Sequence, residues 1–78
     1  MLENFLPQPG TQIVVVNNTP FTLTQTESGE PWSIIRGETT LGHLYINDQG
    51  SWGVWPLYEG CTYIPSAPTP GEALQQAL

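Results

Sequence analysis

Residues 41–57 read Leu41-Gly-His-Leu-Tyr-Ile-Asn-Asp-Gln-Gly-Ser-Trp-Gly-Val-Trp-Pro-Leu57, a β-hairpin by its turn chemistry and its alternation. The short side chains of Asn47 and Asp48 bond readily to the backbone ahead of them, and Gly50 supplies the left-handed residue that closes a three-residue loop. Pairing Asn47 with Ser51 sets Ile46 opposite Trp52, Tyr45 opposite Gly53, Leu44 opposite Val54, His43 opposite Trp55 and Leu41 opposite Leu57. Alternation then puts Ile46, Trp52, Leu44 and Val54 on one face and Tyr45, His43, Trp55, Leu41 and Leu57 on the other. Both faces are apolar, so both need cover.

Working outward, the preceding chain supplies further short strands. Thr11 to Val16 is a β-branched run bounded by Asn17, Asn18, Thr19 and Pro20, the pattern of a central strand covered on both faces. Phe21 to Thr26 alternates, with Phe21 and Leu23 inward and Thr22, Thr24 and Thr26 outward. Ser28 to Pro31 makes a turn, Trp32 to Arg36 a third strand, and Gly37 with Glu38 leads into the hairpin. Beyond it, Pro56 interrupts the ladder. Glu59 and Gly60 turn the chain into a last strand over Cys61 to Ile64. Five to six short strands without an intervening helix predict an all-β domain, a small antiparallel barrel or sandwich over residues 11–64. In size and turn spacing the pattern is similar to an SH3-like barrel.

The two ends differ from this body. Residues 1–10 carry Leu2, Phe5 and Leu6 followed by Pro7, Pro9 and Gly10, which predicts an extended arm with three apolar side chains. Residues 65–78 begin as a Pro-rich linker and continue into a helix start, with Thr69 as cap, Pro70 at the first helical position and Glu72 at the third. Ala73, Leu74, Ala77 and Leu78 then fall on one helical side. A helix this short does not stand alone in water and needs a surface to pack on.

Composition narrows the classes of function. The chain has 78 residues, of which 10% are charged, with a single cation, Arg36, and a formal net charge of −6. One arginine cannot neutralise a run of phosphates, so nucleic-acid binding is not expected. An anionic membrane surface is disfavoured for the same reason, and no stretch reaches the ~20 apolar residues of a membrane span. The start Met-Leu-Glu-Asn-Phe lacks the basic and apolar regions of a secretory signal, and with an unpaired Cys61 this points to a cytoplasmic site of synthesis.

Chemistry has little to work with. Cys61 and His43 are the lone members of their types, and neither sits in a nucleophile-and-base signature or a metal-ligand spacing. No enzyme activity, metal or cofactor is expected. The aromatic residues are the stronger signal. Trp32 and Trp52 suit a core, whereas Trp55 with His43 and Tyr45 forms a cluster suited to protein contact.

A chain of this size buries only about 60% of its unfolded surface, and it has no disulfide or metal to reinforce it. Partner surfaces are the remaining means of covering its apolar residues. The sequence therefore predicts a non-enzymatic structural protein of a symmetric assembly. A small virion component, such as a bacteriophage capsid decoration or cement protein, fits best; it would be made in the host cytoplasm and found in the virion. Its expected partners are capsid or other assembly subunits, or further copies of itself, contacted through Leu2, Phe5, Leu6, His43, Tyr45, Trp55, Leu74 and Leu78. Two other readings stay open. One is a small cytoplasmic adaptor or anti-defence inhibitor that docks on one protein through the Trp55 face. The other is a carbohydrate- or peptide-binding module.

Overall fold

The computed structural model describes residues 5–78. Leu2, placed by the sequence in a partner-binding arm, lies outside the described residues. The strands are β1 (Gly10–Val16), β2 (Thr19–Gln25), β3 (Trp32–Arg36), β4 (Thr39–Ile46), β5 (Trp52–Pro56) and β6 (Ile64–Ala67), followed by helix α1 (Pro70–Ala77). All neighbours pair antiparallel in one sheet of order β1-β2-β3-β4-β5-β6. The protein is thus all-β with one short helix. The sheet is a meander that does not close into a barrel.

Turn residues explain this order. Asn17 and Asn18 hold φ of 52° and 66°, the paired left-handed conformations of the two-residue turn whose twist suits a hairpin, and Asn tolerates them better than other side chains. At the β4–β5 turn, Asn47 Oδ1 accepts the N–H groups of Gln49 at 2.9 Å and Ser51 at 3.0 Å. The Asn47 N–H donates to the Ser51 carbonyl at 2.8 Å, and Gly50 takes φ 81°. The register that follows is His43 to Trp55, Leu44 to Val54, Tyr45 to Gly53 and Ile46 to Trp52, as the turn chemistry predicts.

One face of the sheet is the core. Val14 and Val16 of β1, Phe21 and Leu23 of β2, and Trp32 and Ile34 of β3 are buried there. From the second half come Leu41, Leu44, Val54, Ile64 and Ala67. Helix α1 packs over β4, β5 and β6 and adds Ala73, Leu74 and Ala77. Its N-terminus is capped as the sequence predicts, with Thr69 Oγ1 accepting the Glu72 N–H at 3.1 Å.

Several expectations need correction. Leu41 does not share a face with His43 and Trp55. A bulge intervenes, since Ile34 pairs with Gly42 but Ile35 pairs with Thr40, and the extra residue between them is Leu41. The bulge breaks the alternation, so Leu41 and Leu44 both enter the core, while Leu57 stays exposed. The apolar run of β1 is no central strand, because the meander leaves it at an edge with Ile13 and Val15 uncovered. The last strand begins at Ile64 instead of Cys61. The Thr62 N–H is taken by the Ala77 carbonyl at 2.9 Å, which holds the preceding loop on the helix end until Ile64 meets Val54.

Candidate functional site: the outward face of the sheet

The face opposite the core follows from the register. Thr24 pairs with Ser33, Ser33 with His43 and His43 with Trp55, so these four side chains form one transverse row on the outward side. Such a row is uncharged throughout. Beside it, Tyr45 lies over Gly53, where a Cβ would come within 2.5 Å of the Tyr45 ring. The missing side chain gives the ring its seat, at the pairing that the turn residues predict, and Tyr45 is half-buried in consequence.

Trp55 anchors the exposed end of the row. It is 56% exposed, and the Tyr63 ring meets it edge-on with centroids 5.5 Å apart at 79°. That geometry matches the attraction of a ring edge for a ring face, worth about 0.5–1.5 kcal/mol beyond area burial. It holds the indole in place without burying it, so a partner meets a large apolar surface with few rotamers left to lose. His43 lies flatter. Its Nδ1 is buried without a hydrogen-bond partner, a cost to the fold of roughly 1–3 kcal/mol for a buried polar atom. Next to it, a groove of about 340 Å³ is lined by Thr24, Thr26, Glu30, Pro31, Ser33 and His43.

The structure brings His43, Tyr45 and Trp55 together on this face and sets Phe5, Leu6, Leu74 and Leu78 elsewhere. Leu74 is 0% exposed in the protein's own core, so its assignment to a partner is corrected: the helix packs its apolar side on β5 and β6 and leaves nothing of Leu74 to dock. Leu78 and Phe5 are half-buried against the same core. The arm is tied down where it passes Trp32, whose indole N–H donates to the Gln8 carbonyl at 3.0 Å. Of the two apolar candidates described in the arm, Phe5 and Leu6, it is Leu6 that projects, at 66% exposure. Sequence reasoning missed Tyr63 as the companion of Trp55, and it missed the exposure of Ile13 and Val15. Neither carries a local signal: residues 57–63 form a loop, and the unbroken apolar run Ile13-Val-Val-Val16 does not say which of its two sides is covered.

Cys61 and His43 do not form a pair. No hydrogen bond joins them, and Cys61 packs against the core, its Sγ 3.0 Å from where a Cβ on Gly42 would sit. Burial pushes the thiol pKa up, the reverse of what an activated nucleophile needs. Among the described residues no group of His, Cys, Asp and Glu is placed to hold a metal ion, and no helix is long and apolar enough to cross a membrane.

Fold and site together define a small open β-meander, closed on one side by a helix and carrying an uncharged aromatic row on its outward face. No family model, no curated protein and no solved structure matches the chain.

Proposed function

We propose that this chain is a non-catalytic structural component of a symmetric assembly, in the manner of a small decoration or cement protein on a bacteriophage shell, and that it docks through the outward Trp55 face. The observation that carries the reading is the combination at Trp55. A tryptophan 56% exposed is held by Tyr63 and continues into a row of uncharged side chains from β2 to β5. An aromatic anchor set in a row of uncharged side chains has the composition of an interface centre. The scarcity of charge, 10% of residues, suits a surface occupied by neighbours.

Co-sedimentation of the purified chain with capsid shells from its source is the test. Saturable binding at many copies per shell is expected, and Trp55→Ala weakens it by about 2 kcal/mol, roughly thirtyfold in affinity. The substitution also loses the Tyr63 contact, about 0.5–1.5 kcal/mol, so binding is compared under conditions where circular dichroism shows the variant folded. No binding to shells, or an affinity unchanged by Trp55→Ala, overturns the reading. A one-to-one complex with a single soluble protein transfers the same face to the adaptor reading.

A further inference from the structure

The free edge of β1 has a pattern of its own. Among the described residues no strand pairs with β1 on the side away from β2. The β1–β2 loop has two residues, and Val16 pairs with Thr19 across it. In a two-residue hairpin this closing pair exchanges both its main-chain hydrogen bonds, and the pairs then alternate. Val16, Val14 and Gln12 therefore direct their N–H and C=O groups toward β2, while Val15, Ile13 and Thr11 direct theirs to the open side. Pro20 agrees with this parity. It lies opposite Val15, a position where β2 owes β1 no N–H, so its missing donor breaks no bond.

Exposed edges usually carry protection: a charge, a proline, a bulge or a very short strand. β1 has none of these. Its sequence Gly-Thr-Gln-Ile-Val-Val-Val is uncharged and free of proline over seven residues, its pairing with β2 runs without a register shift, and Ile13 and Val15 stand 72% and 57% exposed on the outward face.

We propose that β1 is a self-pairing edge, through which two copies of this chain join antiparallel about a two-fold axis at Ile13. The open donors and acceptors are symmetric about that residue. Rotation about the axis brings Ile13 onto Ile13 of the second copy and Thr11 onto Val15, each pair exchanging N–H to C=O bonds in both directions. Side chains match equally well. The two Ile13 side chains meet directly on the outward face, where opposed apolar pairs stabilise a ladder, and Val15 meets the Thr11 methyl. Electrostatics favours a second copy here above other places on the molecule. With a net charge of −6, two copies repel wherever carboxylates face one another, and β1 brings none into contact. The product is an isologous dimer with one continuous sheet, and the Trp55 faces of both copies remain open at its two ends.

Sedimentation equilibrium of the full chain from about ten to several hundred micromolar tests this directly. The expected mass rises toward twice the 8.6 kDa of the chain. Ile13→Lys weakens self-association on the order of tenfold or more by setting like charges opposite each other, and Ile13→Glu does the same. Mixing the two variants in equal amounts restores the doubled mass, because Lys then meets Glu across the axis. Circular dichroism melts confirm that each variant stays folded, as the exposure of Ile13 requires. Trp55→Ala leaves the dimer intact, which separates this result from the shell-binding test. A native chain monomeric at every concentration overturns the proposal, as does a dimer that persists in Ile13→Lys. A mixture of the Lys and Glu variants that stays monomeric overturns the axis at Ile13.

Discussion

The two edges of the sheet are handled in opposite ways. At one end β6 is only four residues long, contains Pro65 and lies under α1. At the other end β1 runs seven residues without charge, proline or bulge. A short, proline-bearing, helix-covered strand cannot recruit another chain, whereas a long apolar one can. The difference teaches where this protein ends its own structure. On the β6 side folding is completed by α1, and on the β1 side no described strand takes up the outward N–H and C=O groups.

If that contrast is real, the β6 side should carry a large share of the folding stability. Leu74 is fully buried between α1 and the sheet, and eight residues form a helix in water only when such packing supports them. Leu74→Ala therefore costs about 2–5 kcal/mol, a large fraction of the total for a domain of this size. Urea unfolding followed by tryptophan fluorescence measures it. A loss below about 1 kcal/mol would show that the helix is an ornament and that β6 is as open an edge as β1.

A smaller perturbation tests the same dependence from outside the core. Thr69 Oγ1 accepts the N–H of Glu72, and Thr69→Ala removes that cap at a cost of about 1 kcal/mol, while Thr69→Ser retains most of it. Equal losses in both variants would show that the hydroxyl is not what holds the helix start.

How far these features could be read from the chain depends on whether they are local. The β4–β5 register follows from Asn47 and Gly50 alone, because a turn sets pairing for every residue behind it, and Tyr45 over Gly53 follows from that register. The helix start at Thr69 is equally local. Leu41 is different. Its burial results from a bulge against β3, and no residue near Leu41 signals that the neighbouring strand is one residue short. The place of β1 depends on the strand order of the whole sheet, which a run of Ile and Val does not encode: an edge strand and a central strand can share the same apolar composition. Trp55 is legible as exposed once the register is known, but its contact with Tyr63 depends on how a loop returns, and loops carry no periodicity.

The smallest expected effect discriminates most sharply between a β1 whose outward side is structural and one whose outward side is reserved for a partner. Ile13→Thr keeps a β-branched side chain, and therefore the strand propensity, and removes apolar surface at a residue that is 72% exposed. Measured at concentrations where the chain is monomeric, its stability should stay within about 0.5 kcal/mol of the native value. The adjacent Val14→Thr is nearly the same change on the opposite side of the same strand. There it sets a hydroxyl into the core at a position 5% exposed, which costs about 1–3 kcal/mol. Equal losses for the two variants would mean that the monomer already covers both faces of β1, so that the Ile13 side chain is not free to meet a second copy. A near-neutral Ile13→Thr beside a costly Val14→Thr means that Ile13 adds almost nothing to the monomer, and its apolar side chain then bears on stability only where another surface covers it.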